Sequence, residues 1–344
     1  MSAWSRHRIC IVPELSGVGG MVTFQDKFIQ GLEAREVEVT FDLDDPTQRA
    51  LLVIGGTRRL HYLWRARVSG IPTLQRLDGM NWLHRRTFTG PRHFLRAEWG
   101  NWLLAFIRRR FADTLIYQSE FARTWWERVG GPVEAESRVV HNGVDLSQYR
   151  PEGPGEPPED RYRILLVEGS LSGGYQMGLL HAVQMASLAE SQLDRSVELM
   201  VVGRVEPSVR RRVTRISAVS ILWEGLQPAE KIPEIDRSAH LLYAADLNAA
   251  CPNAVIEAMA CGLPIVAFDT GALSELVQGE AGLLVPYGGD PWQLDPPDVE
   301  SLASAAVEVI TEQGRYRKGA RARAEAAFAL DDMVEGYLDA VGWA

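Results

Sequence analysis

Lysine is almost absent from this 344-residue chain: Lys27, Lys231 and Lys318 are the only three among 36 basic residues. Its positive charge is therefore arginine charge, planar and permanently ionised. Cysteine is equally scarce. Cys10, Cys251 and Cys261 stand in no paired metal-ligand spacing, which argues against a disulfide scaffold or a zinc site and fits a reducing cytoplasm. No apolar run reaches the ~18 to 20 residues of a membrane span, and Met1 to Ile11 lacks a signal-peptide core. A net charge of -9 and a pI of about 5.4 argue against general nucleic-acid binding. A cytoplasmic protein is expected.

What is present is the composition of a globular protein, 46% hydrophobic and 24% charged, long enough for two domains. Apolar runs alternate with helical patterns in two blocks. The first has strands near 8–13, 37–41, 51–54, 72–77, 114–118 and 138–141. The second has strands near 163–167, 198–202, 219–223, 240–243, 265–268 and 283–285. Such alternation implies parallel sheets covered by helices on both faces. Between the blocks, Pro151 to Asp160 carries four prolines and four acids and reads as an interdomain linker. The expected domains are therefore 1–150 and 151–330, with a last helical stretch from Asp331.

The segment Cys251 to Phe268 is the most informative. Pro252 suits a first helical position and Asn253 a cap. Gly262 offers a left-handed helix stop, Pro264 bars continuation, and Ile265 to Phe268 is a buried strand. Glu257, the one charge in that helix, lies near an end that favours anions. It is either a local stabiliser or an acceptor aimed at a ligand. Two other strand-to-helix turns are glycine-rich: Ser16-Gly17-Val18-Gly19-Gly20 and Glu168-Gly169-Ser170-Leu171-Ser172-Gly173-Gly174. Glycines there let backbone amides approach a ligand closely.

These motifs resemble those of the family-4 retaining glycosyltransferases. The resemblance implies an α/β GT-B fold, two Rossmann-like parallel-sheet domains facing across a cleft, with the last helix crossing back onto the first domain. It implies transfer of a sugar from a nucleotide diphosphate-sugar to a glycan or lipid-linked acceptor hydroxyl, without metal or cofactor. Gly19 and Gly20 match the loop that meets the donor diphosphate, with Val22 where the family commonly has Glu. Gly169 and Ser170 match the loop opening the donor domain, but Ser170 and Met177 replace the Arg and Lys that hold the diphosphate. Arg204, at the exit of the strand 198–202, is the candidate substitute, and an amide nest at Gly173 and Gly174 before a helix near Tyr175 is another. Leu226 matches a nucleobase contact. Glu257 matches the ribose-binding Glu, with Asn253, Ala254 and Val255 opening the same helix. Ala249 stands eight residues earlier, where the family has a sugar-binding Glu, so Asp246 or Asn248 is the candidate sugar contact.

In the first block, Asp78 ends a strand and is the candidate to orient or deprotonate an acceptor; an Asx turn with Gly79 is the alternative. His141-Asn142-Gly143 reads as a structural turn. The stretch Trp82 to Trp126 is rich in Trp and Arg, and Leu95, Trp99, Trp102, Leu103, Phe106 and Ile107 form an apolar stripe. Core packing explains such a stripe. The sharper reading is an interface for a lipid-linked or polysaccharide acceptor, or a peripheral contact with the inner membrane face. A non-catalytic nucleotide-sugar-binding protein is the alternative function, and a sugar-nucleotide epimerase a further one.

Overall fold

The computed structural model describes residues 7–171 and 176–343. The chain divides into two compact units, one formed by residues through Gly143 together with Leu330 onward, the other by Val144–Ala329.

In the first unit the elements run β1 (Arg8–Val12), α1 (Gly20–Glu33), β2 (Glu38–Thr40), β3 (Ala50–Ile54), α2 (Leu60–Val68), β4 (Thr73–Leu77), α3 (Pro91–Arg110), β5 (Thr114–Tyr117), α4 (Glu120–Gly130) and β6 (Glu136–Val139). The six strands form one parallel sheet ordered β2-β1-β3-β4-β5-β6. Successive side chains of a strand point to opposite faces, and the core divides accordingly. Ile9, Ile11, Leu52 and Ile54 pack on one face with Phe24, Phe28 and Leu32 of α1. Cys10, Val12, Leu51 and Val53 pack on the other with Leu63 and Ala66 of α2 and Leu103 and Ile107 of α3. Helices α2 and α3 thus cover the same face.

The second unit contains β7 (Arg161–Ser170), α5 (Gln176–Glu190), β8 (Ser196–Arg204), α6 (Pro207–Ile216), β9 (Ser220–Gly225), α7 (Ile232–Arg237), β10 (Leu241–Ala244), α8 (Asn253–Ala260), β11 (Ile265–Phe268), α9 (Leu273–Leu276), β12 (Gly282–Val285), α10 (Val299–Thr311) and α11 (Gln313–Ala327). Its six strands are also parallel, ordered β12-β11-β10-β7-β8-β9. Helices α5 and α10 cover one face through Leu179, Val183, Leu302 and Val309. Helices α8 and α11 cover the other through Val255, Ile256, Met259 and Ala320.

The last helix, α12 (Leu330–Ala340), belongs to the first unit. Val334 lies over Gly31 of α1, where any side chain larger than hydrogen would collide with it, and Tyr337 packs on Phe24 and Phe28.

The boundary differs from the one expected at the proline-rich segment. Residues 144–150 belong to the second unit because Val144 bridges to Ala329, donates its N–H to Phe328 O at 2.9 Å, and is buried with Tyr149 in that unit's core. The proline-rich segment is fixed to the same unit. Arg237 Nε donates to Pro154 O at 2.7 Å and its Nη1 to Arg150 O at 3.0 Å. Four prolines deprive this stretch of ladder donors, and the guanidinium takes up its free carbonyls instead.

Candidate functional site

A parallel sheet collects its strand-to-helix loops at the carboxyl edge, where ligands of such folds bind. In the second unit that edge carries Gly169 and Ser170 at the end of β7, Arg204 at the end of β8, Leu226 just past β9, Asp246 just past β10, and the start of α8. The structure therefore places the described candidate residues of this unit along one sheet edge. Gly173 and Gly174 lie outside the described residues.

Ser170 and Arg204 are register partners across β7 and β8, beyond an irregularity in the ladder after Val167. The Leu171 N–H donates to Arg204 O at 2.9 Å, which holds the two strand ends together. Gly203, just before Arg204, has a φ of 139° and sits so close to Glu168 O that a Cβ would lie 1.8 Å from it. Only glycine permits this approach. Arg204 and Ser170 are both exposed, and among the described residues the Arg204 guanidinium has no hydrogen-bond or ion-pair partner.

Helix α8 begins at Asn253, with Pro252 in the cap position in an extended conformation, one residue later than the sequence suggests. Pro252 cannot donate from its nitrogen, so its cap position costs no donor, and its carbonyl accepts from Val255 N at 3.2 Å. Gly262 ends the helix in the left-handed region, at φ 71°. The Val255 side chain is core, whereas Asn253 and Ala254 are half-buried. Glu257 is only 7% exposed, near Tyr149 and Cys261. Burial first, and then the Glu257 charge, push the Tyr149 hydroxyl well above its ordinary range.

Asp246 has a neighbour that sequence reasoning missed. Glu168, near the end of β7, lies within reach of the Asp246 charge, because β7 is the sheet neighbour of β10, the strand that Asp246 follows. Removal from water raises both carboxyls, Glu168 to about 8 and Asp246 to about 7, and for Glu168 the Asp246 charge adds to the effect. Carboxyls raised by burial in this way do not both ionise readily near neutral pH, so the pair offers a donor O–H as well as acceptors. The only signal in the sequence was an acid directly following the apolar run Ile164 to Val167. On the same loop, Asn248 is buried in a left-handed conformation (φ 58°), its backbone N–H directed at Thr270 Oγ1 at 3.4 Å.

The first unit has its own polar cluster at the carboxyl edge. Arg76 is fully buried in β4. Its Nη1 donates to Asp78 Oδ1 and its Nη2 to Asn142 Oδ1 at 3.1 Å, and its guanidinium lies 3.9 Å from the centre of the Phe24 ring. Gln118 Nε2 also donates to Asp78 Oδ1, and Asn142 Nδ2 donates to Gln118 Oε1 at 3.3 Å. Trp126 Nε1 donates to Asp78 O at 2.7 Å. The Asp78 carboxylate is thus the counter-charge of a buried arginine, with its side chain still 34% exposed. Asn142, read from sequence as part of a turn, is a working member of this cluster. Gly19 caps α1 and Gly20 opens it on the same edge, and a Cβ on Gly19 would meet nothing within 4 Å, so the loop is open there.

Among the described residues, no group of three or more His, Cys, Asp or Glu is arranged to hold a metal ion. No described helix is long and apolar enough to cross a membrane.

Residues 163–312 match the family model described as Glycosyl transferases group 1. D-inositol 3-phosphate glycosyltransferase 2 of Catenulispora acidiphila is 27% identical over 241 residues, covering 62% of this chain and 55% of that protein. The chain spans about half the length of the curated relatives it matches. Among solved structures, sucrose-phosphate synthase from Thermosynechococcus elongatus superposes with a TM-score of 0.72 at 16% identity, over 97% of this chain and 98% of that one. Anabaena Alr3699/HepE, in complex with UDP and glucose, gives 0.70 at 16% identity over 98% and 99%. The fold is GT-B, two Rossmann-like parallel-sheet domains.

Proposed function

We propose that this chain, which resembles the group 1 glycosyltransferases, transfers a sugar from a nucleotide diphosphate-sugar to an acceptor hydroxyl with retention of anomeric configuration. The observation that carries the reading is the exposed Arg204, without a partner among the described residues, beside Ser170 at the carboxyl edge of the sheet. A diphosphate leaving group needs positive potential. Here Arg204 supplies the cation, and the first amides of α8, at Asn253 and Ala254, supply the helix N-terminus. Glu257 accepts from the ribose hydroxyls and Leu226 lies against the base.

The transferred sugar meets Asp246 and Glu168, which take the place of the family carboxylate missing at Ala249. A pair holding one proton both donates to and accepts from sugar hydroxyls. In the first unit Asp78, kept in place by Arg76 and Gln118, is the group that orients an acceptor hydroxyl. The reaction needs neither metal nor cofactor. The acceptor is a glycan or lipid-linked hydroxyl, and the setting is glycan or glycolipid synthesis in the cytoplasm.

The test is turnover. The chain is incubated with UDP-, GDP-, ADP- and dTDP-sugars and simple glycoside acceptors, and the product's anomeric proton is read by NMR. Transfer from one donor with retained configuration is expected. Nucleotide binding without transfer or donor hydrolysis would favour a binding protein instead, and an inverted product would overturn the retaining mechanism.

A further inference from the structure

The sequence pattern left the apolar stripe of α3 open between core packing and an interface, and the structure leaves half of its positions outside the core. Leu103 and Ile107 are buried against the sheet, whereas Leu95 is 68%, Trp99 52% and Trp102 50% exposed. The exposed aromatics are ordered: Trp99 stacks on Trp102 with ring centres 4.9 Å apart, and Trp102 on Phe106 at 5.1 Å. Phe88, in the loop leading into α3, is 96% exposed. Trp64, also exposed, lies on α2, which covers the same sheet face.

Charge is concentrated in the same place. From Gly55 to Phe111 the chain carries twelve arginines and only two acids, Asp78 and Glu98, although the whole chain is at -9. Arg76 neutralises Asp78, and Glu98 is held by Arg85 and His84. Neither acid is therefore free to offset the surface, although Arg76 and Arg108 are themselves buried and Arg65 pairs with Asp44 at 2.7 Å. Arg92, Arg96 and Arg109 are exposed at helical spacing with the tryptophans, and among the described residues Arg92 and Arg96 have no ion-pair partner.

We propose that the outward face of α3, extended by Phe88 and Trp64, docks this protein onto an anionic lipid bilayer. The charge argument selects the partner. A second copy would bring two surfaces of the same strong positive sign together, which costs free energy. An anionic headgroup layer attracts each arginine, while Trp rings settle at the headgroup level and Phe88 and Leu95 bury apolar surface below it. The arginines flank the aromatics along the helix, the order expected for a helix lying in the interface plane. This inference does not depend on the sugar chemistry, because binding to vesicles requires no donor.

The experiment is co-sedimentation of the full chain with vesicles of phosphatidylcholine alone and of phosphatidylcholine mixed with phosphatidylglycerol. Binding to the mixed vesicles only, weakened as salt is raised above about 0.1 M, is expected, with a blue shift of tryptophan emission. Arg92→Gln with Arg96→Gln should weaken binding by about thirtyfold, and Trp99→Ala with Trp102→Ala by about tenfold or more. All four side chains are exposed, so circular dichroism should be unchanged. No binding to anionic vesicles at low salt overturns the proposal. So does binding that both double variants leave intact, or a concentration-dependent dimer in sedimentation that the tryptophan variant abolishes.

Discussion

Ser170 and Arg204 are register partners at the ends of the adjacent parallel strands β7 and β8. The sheet thus places an arginine beside the position where the proposed donor site has Ser170. If that cation holds the diphosphate, its position on the sheet edge matters more than its position in sequence. Arg204→Ala should weaken nucleotide diphosphate binding by about ten- to a hundredfold, the equivalent of one charge-assisted hydrogen bond. Adding Ser170→Arg to that variant should restore part of the loss. Equilibrium titration of the two variants checks both statements, and no recovery in the double variant would place the diphosphate elsewhere.

The Glu168–Asp246 pair makes stability depend on pH in a definite direction. Both carboxyls are raised in the folded chain, so between about pH 4 and the pair's own range of about 7 to 8 the folded state holds protons that the unfolded state has released. Stability contributed by the pair therefore falls as pH rises through that window and then levels off. On the acid side, burial with Arg317 and Arg163 nearby lowers His240 to about 4. The unfolded chain takes up that proton first, so stability is lost as pH falls from about 6.5. The pair holds two protons that the unfolded chain has released, against the one that His240 refuses, so the pair's effect outweighs that of His240 where the two overlap. Melting temperature should consequently fall as pH rises from about 5 to about 8, and Asp246→Asn should make that fall shallower, which thermal denaturation across pH reads directly.

Asp78 is expected to be a stability residue as well as a positioning one. Its removal leaves Arg76 buried without a carboxylate, and breaking a buried pair in this way costs several kcal/mol. Since Asp78 is partly exposed, we expect about 2 kcal/mol for Asp78→Ala in urea denaturation. Arg76→Met combined with Asp78→Ala should be less destabilised than Asp78→Ala alone. A Tm unchanged in Asp78→Ala would show that Gln118 and Asn142 suffice for Arg76.

Much of this was legible in residue order. The run Ile265 to Phe268, bracketed by Gly262 and Pro264 before it and Gly271 after it, is β11 to the residue. Parallel strands buried on both faces read as continuous apolar runs. Strand ends were less visible: β7 continues to Ser170 because it pairs with Arg204, a partner that only the fold brings near. The Glu168–Asp246 pair was hidden for the same reason, since the two belong to strands far apart in sequence and adjacent in the sheet. The Arg76 cluster left a trace, Gln75 and Arg76 between Leu74 and Leu77 in a short strand. On α3, helical spacing shows which residues share a face but not whether anything covers it, so Trp99 and Trp102 read as core and stand outside it.

Glu257 separates ligand binding from local stabilisation. Glu257→Gln keeps its shape and can still accept from one ribose hydroxyl, whereas Glu257→Ala cannot. Affinity should fall in the order wild type, Gln, Ala, with the Ala variant lower by about tenfold or more. Equal affinities with reduced melting temperature would assign Glu257 to the helix alone.

The central claim is that the carboxyl edge of the second unit's sheet binds a nucleotide diphosphate. Isothermal titration of UDP, GDP, ADP and dTDP into the full chain, repeated with Arg204→Ala and Glu257→Ala, tests it most directly. The account predicts that at least one of the four binds with a single site per chain and that both substitutions weaken it. Absence of binding by all four, or an affinity that neither substitution changes, would contradict it.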